Sequence, residues 1–421
     1  MKKAFLYTAL IISISIILSS CKGGIDGKDK EVTIKFSTFL EEGAEADAYK
    51  EIIGMFEESH KNIKINLMAT ANGYDAALDG ALKGGKGPDI MGLQRTKMID
   101  YINKGYIKDI SEWIDTAGLK DKYYGVSLGY GKYDGKYYGI GDLPYTVEWY
   151  YNKKVFKNAG IDEPKNMDEL LDACKKLKRY VRYPIIIGAK DAWSADIAFG
   201  AISVQTINTE KLAKAYGSGE KAEFENLNGA EDALDIFYDL VRAGAISSKV
   251  EDIDYAQSVN EFVNGRAAIF PMGSWASKKI EDVMPKGFDY GVFESPIEFV
   301  SSPESKISAT AVHVITVNKK SAHPKETMEF LNFLFSEEAQ KVLAKKNGIS
   351  GFKSVNSSSD DEIKGRILEH LDMTDENSTM YVDDISNEMM EATKSGILKI
   401  INKDMEPKEA YDLIINQAFT K

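Results

Sequence analysis

Apolar residues near the start of the chain change between two spacings, and the changes predict alternating strands and helices. Residues 32–36 alternate apolar with polar, which is the pattern of a half-buried strand. At 44–59 the apolar residues recur every three or four positions, which is typical of one face of an amphipathic helix. The two patterns return as a strand at 63–67, a helix at 74–82 and a strand at 88–93. This order predicts a parallel sheet with right-handed crossovers.

The middle and the end of the chain continue this mixture of patterns. Asn166 and Glu169 form a capping-box sequence before an apolar helical stretch, which predicts that a helix begins there. A long amphipathic stretch at 323–348 predicts one helix that ends at Gly348. The other predicted elements are strands at 149–156 and 183–189, within 265–275 and at 313–319, and helices at about 195–207, 230–243 and 255–264.

The stretch "GALKGGKGPDIMGL" at 80–93 comes close to the phosphate-binding loop Gly-x4-Gly-Lys-Ser/Thr. That loop lies between a strand and the following helix, so that the helix amides face the phosphate. Here the helix comes before the glycines, and Gly87 stands where the motif needs Ser or Thr. We therefore interpret the glycines as a helix end with Gly84 in the left-handed position, and we expect no nucleotide to bind here.

The first 20 residues have the pattern of an export signal. Lys2 and Lys3 precede an apolar stretch at 4–18, which is shorter than the 20 or so residues of a membrane span. The sequence "LSSC" then resembles a bacterial lipobox, in which the cysteine, here Cys21, is lipidated and becomes the new N-terminus. Residues 22–30 would then form a flexible tether to the outer face of a membrane. The alternative is an uncleaved anchor helix with an incidental cysteine.

Composition and charge narrow the function classes. The chain has 421 residues, enough for two domains, and a formal net charge of −12 without a basic cluster, which argues against nucleic-acid binding. Its four histidines are far apart, and no zinc, nucleophile-elbow or dinucleotide motif is present. We therefore expect no metal, no cofactor and no catalytic residue. Cys174 lies among leucines on one helical face, which predicts a buried thiol.

Aromatic residues are the most suggestive feature, because about 10% of the chain is Phe, Tyr or Trp. Aromatic faces offer a flat apolar surface to the C–H faces of sugars, while polar neighbours can bond the hydroxyls. Each aromatic residue by itself has an alternative place in a core. Those at predicted strand ends or loops are Phe39, Tyr74, Tyr145, Trp193 and Trp275.

Several short stretches, in their order and spacing, resemble the extracellular solute-binding lipoproteins of ABC importers. The resemblance is to the carbohydrate-binding branch, which includes maltodextrin- and multiple-sugar-binding proteins, and it covers essentially the whole chain after the signal. Each stretch is weak alone. Besides the lipobox they are "YKEIIGMFEESHKNIKINL", "ALKGGKGPDIMGL", "YDGKYYGI", "YYNKKVFKNAGI", "MDELLDACKKL", "FVNGRAAIFPMGSW" and "PKETMEFLNFLFSEEAQ".

The resemblance implies an α/β, two-lobed fold of the type II periplasmic-binding-protein kind. Each lobe is expected to be a mainly parallel sheet flanked by helices, with the ligand cleft between the lobes and closure by hinge motion. Crossings between lobes are expected near 148–152, 269–272 and 321–324. The implied division is a signal peptide at 1–20, a tether at 21–30, lobe 1 at 31–148 and 272–320, and lobe 2 at 149–271 and 321–421.

The resemblance also implies where the ligand contacts lie. Trp275, in "MGSW", matches the family's most recurrent stacking tryptophan, although hinge packing is an alternative role for it. Phe36 and Phe39 stand where many relatives have tryptophan, and "SATAVHV" lacks a glycine-rich run, which puts contacts from 309–313 in doubt. The expected ligand-binding residues are Thr38, Phe39, Glu41, Tyr74, Gln94, Arg95, Tyr145, Glu148, Asp191, Trp193 and Trp275.

The implied function is to capture a sugar or oligosaccharide and deliver it to the permease subunits of an ABC importer. The protein is expected to be a monomer and not an enzyme. Two alternatives remain open from the residues. The same fold could bind a polyamine, a glycerophosphodiester or an anion, or the chain could be a surface glycoside hydrolase.

Overall fold

The computed structural model describes residues 31–297, 307–356 and 361–420, which form ten strands and nineteen α-helices. The strands are β1 (Val32–Thr38), β2 (Ile63–Ala69), β3 (Ile90–Leu93), β4 (Lys132–Tyr133), β5 (Lys136–Tyr137), β6 (Gly139–Asn152), β7 (Tyr183–Ile185), β8 (Ala267–Gly273), β9 (Tyr290–Phe293) and β10 (Ala309–Val317). The helices are α1 (Ala44–Ser59), α2 (Tyr74–Lys83), α3 (Arg95–Asn103), α4 (Ser111–Thr116), α5 (Leu119–Lys122), α6 (Gly125–Tyr130), α7 (Lys153–Ala159), α8 (Met167–Leu177), α9 (Ala192–Ser203), α10 (Thr209–Ser218), α11 (Lys221–Glu225), α12 (Ala230–Arg242), α13 (Tyr255–Val263), α14 (Ala276–Val283), α15 (Pro324–Leu334), α16 (Glu337–Asn347), α17 (Glu362–Asp372), α18 (Asn387–Ile401) and α19 (Pro407–Ala418). Short 3₁₀ turns lie at Ser248–Val250, Lys353–Val355 and Tyr381–Asp384.

Eight strands form one sheet in the order β2-β1-β3-β10-β6-β8-β7, with β9 also beside β6. β1 runs parallel to β2 and β3, which confirms the parallel start predicted from the alternating patterns. β7 and β8 are also parallel. The expectation of mainly parallel lobes is wrong, because β10 runs antiparallel to β3 and β6, and β6 runs antiparallel to β8 and β9. The strands that connect the two ends of the sheet therefore make it a mixed sheet.

The 14-residue strand β6 serves both ends of this sheet. Its residues 139–146 pair with β10, whereas residues 147–152 pair with β8 and β9. Its pairing partner changes between Thr146 and Val147, slightly before the predicted crossing at 148–152. We name the part of the molecule built on β1, β2, β3, β10 and the first part of β6 lobe 1, and the part built on the rest of β6 with β7, β8 and β9 lobe 2.

Each lobe has its own buried core, and the cores show where the chain changes lobe. Met272, Ile280 and Val292 are buried in the lobe 2 core, so the chain stays in lobe 2 through β8, α14 and β9. The crossing predicted at 269–272 is therefore wrong: Ala309, the first residue of β10, is still buried in the lobe 2 core, whereas Ile315 of the same strand is buried in the lobe 1 core. A strand pattern such as "AAIFPMG" gives no information on which lobe it joins.

Helices α15 and α16 require a second correction. Phe330, Leu334 and Leu343 pack in the lobe 1 core against β1 and α1, so the chain does not return to lobe 2 at 321–324. It returns after Phe352, which is still buried in that core. The predicted placement of 272–320 in lobe 1 fails for its first part, and that of 321–421 in lobe 2 fails for α15 and α16. These helices cover an apolar face that the sequence pattern alone cannot assign to either lobe.

Some helix ends and caps match the sequence predictions, and others differ. The end of α2 at the glycines is confirmed, but Gly84 has φ −76° and Gly85 has φ 66°, so the left-handed residue comes one position later than predicted. The single helix predicted at 323–348 is two helices, because Ser336 interrupts it and caps α16 by accepting a hydrogen bond from the Ala339 amide. Asn166 caps α8 as predicted. Cys174 is buried, and burial raises the pKa of its thiol to about 12.

The predicted signal peptide, the lipidated Cys21 and the tether lie outside the described residues. Within residues 31–297, 307–356 and 361–420, no helix combines the length and the apolar character needed to cross a membrane.

Candidate functional site

A cavity of about 460 Å³ lies where the two lobes meet beside the middle of β6. We name it the aromatic cavity. Lobe 1 contributes the first residues of α1 and the end of α16, and lobe 2 contributes α14 and α17. Its lining includes Ala44, Glu45, Leu143, Pro144, Tyr145, Ser274, Trp275, Lys278, Lys346, Gly348, Ile363, Lys364 and Ile367.

Tyr145 and Trp275 form the aromatic part of this cavity. Their ring centroids are 5.5 Å apart and their planes are perpendicular, which is a favourable edge-to-face contact. Trp275 follows β8 in a tight turn, and its ring lies directly over Gly273, where a Cβ atom would come within 2.0 Å of the indole. Glycine at 273 is therefore required for this indole position. Both rings are only partly buried, so each can present a face to a bound molecule.

The side of the cavity that β6 provides is irregular. Leu143 has φ 57°, an uncommon conformation for a residue with a branched side chain, and Pro144 follows it without an amide hydrogen. On β10, His313 pairs with Asp142 and Ala311 pairs with Pro144, but Leu143 pairs with no residue of that strand. The strand is thus kinked at Leu143, directly before Tyr145.

A second cavity, of about 290 Å³, lies where α3 and α18 begin. We name it the helix-start cavity. Helix N-termini carry partial positive charge, and two of them face this space. The expected ligand residues Gln94 and Arg95 line it. The remaining lining residues are Thr96, Tyr130, Ala311, Val312, Val382, Asp383, Ile385, Ser386, Asn387 and Met390.

Arg95 is bound within the protein. Its Nε donates to Asp384 at 2.7 Å, and its Nη1 donates to three main-chain carbonyls, with both charged side chains at most 4% exposed. The pair joins α3 of lobe 1 to the 3₁₀ turn before α18. Beside it, burial and the Asp384 carboxylate raise the pKa of Asp383 to about 8. Arg95 therefore stabilises the contact between lobes, and most of its donors are already used.

Glu148 was expected to contact ligand, but it is fully buried in lobe 2. It accepts hydrogen bonds from Thr146 and from His370 Nδ1, the latter at 2.7 Å. Burial lowers the pKa of His370, but the Glu148 carboxylate outweighs this effect and the pKa is raised overall. Glu148 lines neither cavity. The structure places it in a buried ion pair two residues after β6 changes partner.

Thr38, Phe39 and Tyr74 cluster at the carboxyl ends of β1 and β3 without lining either cavity. Phe39 packs against Tyr74 at 5.9 Å and against His313 at 5.5 Å between ring centroids. The Tyr74 hydroxyl donates to the carbonyls of Ser37 and Gly92. Thr38 is fully buried and accepts from the amide of Leu40. These three residues support the loop after β1.

Glu41, Asp191 and Trp193 also lie outside both cavities. Glu41 accepts a hydrogen bond from the Ala71 amide, and Asp191 accepts one from the Tyr255 amide. Trp193 is 38% exposed and packs against Tyr255 at 5.1 Å. Of the eleven expected residues, the structure thus brings Tyr145 with Trp275 and Gln94 with Arg95 into cavities, and distributes the others around them.

Sequence reasoning missed the charged residues at the edge of the aromatic cavity and a buried network behind it. Glu45, Lys278, Lys346 and Lys364 come from four different helices, so no sequence motif joins them. Behind the cavity wall, Asp142 accepts from the Tyr49 hydroxyl, which lies 3.4 Å from His313 Nε2. The Asp-Leu-Pro sequence inside an apolar stretch is the signal that could have revealed the kink.

No group of three or more metal-ligating side chains occurs among the residues that the structure describes.

Comparison with known proteins supplies the family. The model of the family described as bacterial extracellular solute-binding protein matches residues 34–341. An ABC transporter extracellular-binding protein of Pyrococcus horikoshii is 24% identical over 73% of this chain and 69% of its own length. A multiple sugar-binding protein of Streptococcus mutans is 20% identical over 78% of this chain and 77% of its own length. An sn-glycerol-3-phosphate-binding periplasmic protein of Agrobacterium fabrum is 26% identical over 62% of this chain and 59% of its own length.

Among solved structures, a family 1 extracellular solute-binding protein from Bifidobacterium longum subsp. infantis superimposes with a TM-score of 0.76. It shares 19% identity, and the match covers 92% of this chain and 99% of that one. This likeness confirms the two-lobed type II fold. The family match extends over more than half of the chain. The chain therefore belongs to the bacterial extracellular solute-binding protein family and is a solute-binding protein that works outside the cytoplasm.

Proposed function

We propose that the protein binds a sugar or oligosaccharide in the aromatic cavity and delivers it to the permease of an ABC importer. The observation that carries this proposal is the Tyr145–Trp275 pair at the junction of the lobes. An indole face and a phenol ring next to ionised groups suit a sugar, which has apolar C–H faces and a polar edge. The multiple sugar-binding relative supports the same ligand class.

Binding is coupled to hinge closure in this proposal. The chain joins the lobes through β6, which pairs with strands of both lobes, and through β10, which begins in the lobe 2 core and ends in the lobe 1 core, so rotation about these strands would change the width of the cavity. The closed form would present both lobes to the permease. Small-angle scattering checks this step, because a tight ligand should lower the radius of gyration, and an unchanged radius would contradict closure.

A thermal-shift panel tests the ligand class. Monosaccharides, malto-oligosaccharides, glycerol 3-phosphate, glycerophosphocholine, spermidine and inorganic phosphate would each be added to the purified protein at a series of concentrations. A ligand at 100 times its Kd stabilises the folded state by about 2.7 kcal/mol. We expect a dose-dependent rise in Tm with at least one saccharide. Stabilisation by spermidine alone would contradict the sugar assignment.

A glycerol phosphate ester is the second candidate, and the helix-start cavity favours it. Two helices begin there, and N-terminal amides bind phosphate oxygens well. The relative that binds sn-glycerol 3-phosphate supports this class. Stabilisation by glycerol 3-phosphate, with no response to glycerol or to any saccharide, would favour it over the sugar.

The proposal includes no chemical turnover. Incubation with the stabilising oligosaccharide should leave it intact, as measured by chromatography, while the same sample shows the rise in Tm. Release of shorter sugars at a rate above that of a heat-inactivated sample would instead support a surface glycoside hydrolase.

We also propose that the mature protein is a monomer held by lipid on Cys21 at the extracytoplasmic face of the cell membrane. The small residues before this cysteine and the apolar stretch before them support the assignment. Expression in a bacterial host with labelled palmitate should give a labelled, membrane-bound protein. The Cys21→Ser variant should lose the label, and a labelled variant would rule out this site.

A further inference from the structure

The kink in β6 holds one wall of the aromatic cavity in an unfavourable backbone conformation. Leu143 is 1% exposed with φ 57°, a conformation that costs a residue other than glycine about 1–2 kcal/mol. The following Pro144 removes the amide that would otherwise continue the ladder. Such a conformation persists only where surrounding groups hold it.

Asp142 provides the groups that hold this kink. Its Oδ1 accepts a hydrogen bond from the Leu143 amide at 3.0 Å, and its Oδ2 accepts one from the Tyr49 hydroxyl. The same hydroxyl lies 3.4 Å from His313 Nε2. Asp142, Tyr49 and His313 are all at most 1% exposed, so water does not compete for these bonds.

The network touches the elements that build the cavity from lobe 1. Tyr49 lies one helical turn after Glu45, which lines the cavity on α1. Leu143 and Tyr145 line it on β6. On β10, His313 packs against Phe39 of the loop that leads into α1. A change at Asp142 can therefore reach two walls of the cavity at once.

We infer that Asp142 is a positioning residue of the aromatic cavity, which acts through Leu143 and Tyr49 to hold Tyr145 against Trp275. Its role in ligand binding rests on the function proposed above. Its control of the Tyr145–Trp275 contact does not depend on that function.

The charge of Asp142 gives this role a measurable signature. Burial raises the pKa of Asp142 to about 6, although the bonds from Tyr49 and Leu143 act in the opposite direction. The titratable groups around it are Tyr49 on α1, His313 on β10 and Tyr123 before α6. Burial lowers the pKa of His313 to about 3, so this imidazole stays neutral while Asp142 titrates.

Protonation would rearrange the hydrogen bonds without any other reactant. The ionised carboxylate accepts from both the Leu143 amide and the Tyr49 hydroxyl. A proton on Oδ2 makes this oxygen a donor to the Tyr49 oxygen, and the tyrosine proton then turns to the lone pair of His313 Nε2. This reverses the bond between α1 and β6, and Tyr145 should move relative to Trp275.

Tryptophan emission as a function of pH tests the inference. The contribution of Trp275 is obtained by subtracting the spectrum of the Trp275→Phe variant at each pH from 4.5 to 7.5, with circular dichroism to show that the fold is retained. We expect a transition in emission with a midpoint near pH 6, because Asp142 titrates there. The Asp142→Asn variant should show no transition.

Two further variants separate Asp142 from its neighbours. Tyr49→Phe removes one hydrogen bond to the carboxylate and should move the midpoint to higher pH, which keeps the test valid if Asp142→Asn does not fold. Glu45→Gln removes a carboxylate that lines the same cavity and should leave the midpoint unchanged.

Three results would overturn the inference. They are a flat Trp275 signal in the folded wild type, a transition that persists in Asp142→Asn, and a transition abolished by Glu45→Gln. A ligand panel without any response would contradict the proposed function but leave this titration intact, so the two failures are distinguishable.

Discussion

At the scale of single residues, Trp275 connects the backbone of lobe 2 to the cavity. Its indole is packed over Gly273 and makes a perpendicular ring contact with Tyr145. Little rotamer freedom remains to be lost when a ligand binds, which favours a large contribution to affinity.

Trp275→Ala should weaken binding of the ligand found in the stabilisation panel by at least about 2 kcal/mol, because an aromatic surface that lines the cavity is removed. Isothermal titration calorimetry gives the difference. Trp113→Ala is the matched control, since Trp113 lies on α4 of lobe 1, bonded to Asn332 and away from both cavities. Equal losses in the two variants would show that Trp275 acts only through folding.

His313 predicts a dependence of stability on pH. Burial lowers its pKa to about 3 in the folded state, whereas the unfolded chain has about 6.5. The unfolded state therefore binds more protons between these values, and the contribution of His313 is present above pH 6.5 and lost as the pH falls toward 3. The loss should approach about 1.4 kcal/mol per pH unit.

Over part of this pH range, Asp142 changes the free energy of unfolding in the direction opposite to His313. The measurement is therefore made in a variant that lacks this carboxylate. Its pKa is raised, and the unfolded chain releases the proton near 3.9. Urea unfolding of Asp142→Asn at pH 7, 6 and 5 should show the loss that His313 causes. In the double variant Asp142→Asn/His313→Gln, the free energy of unfolding should fall less steeply as the pH is lowered. Identical slopes in the two variants would contradict a neutral buried imidazole.

At the scale of elements, the end of α2 shows how glycine position decides a helix boundary. Gly85 has φ 66°, and its amide and that of Lys86 bond to the carbonyls of Leu82 and Ala81. The sequence identified the helix end, but with three glycines at 84, 85 and 87 it placed the left-handed residue one position too early.

Two substitutions in α2 should have opposite signs. Gly85→Ala should lower the free energy of unfolding by about 1 kcal/mol, because alanine is disfavoured at positive φ. Gly80→Ala, inside the helix, should raise it by about 0.5–1 kcal/mol. An added Cβ meets no atom within 4 Å at either site, so a steric clash does not contribute to either change in the free energy of unfolding. Urea unfolding that gave the same sign for both would contradict this account.

At the scale of the whole molecule, the buried Arg95–Asp384 pair joins the lobes. Arg95→Met leaves the Asp384 carboxylate buried without its cationic partner, with only the Thr379 hydroxyl at 3.5 Å, and should cost about 3–5 kcal/mol in urea unfolding. Arg95→Met/Asp384→Leu removes both charges and should recover part of this loss, although the carbonyls of Gly129 and Tyr130 still lose their donor. A double variant no more stable than Arg95→Met would contradict a penalty from the unpaired charge.

The division into lobes shows the limit of pattern reading at this scale. The apolar faces of α14 and α15 are plain in the sequence, yet the predicted division places α14 in lobe 1 and α15 in lobe 2, whereas the structure has the reverse. An apolar helix face indicates that this side of the helix is buried, but it does not identify the sheet against which the helix packs. That choice depends on contacts such as Phe330 with Phe36, nearly 300 positions apart along the chain.

The sequence by itself determined the alternating strands and helices at the start, the end of α2, the cap of α8 and the two-lobed fold, the last of these through resemblance. These features follow from short-range periodicity, capping and motif order. Tertiary structure alone decided which expected ligand residues face a cavity. Tyr145 and Trp275 meet because β6 changes partner beside β8, whereas Glu148, only three residues after Tyr145, is buried with His370. A strand alternates its side chains between two faces, and only the packed molecule determines which of them is open to a ligand.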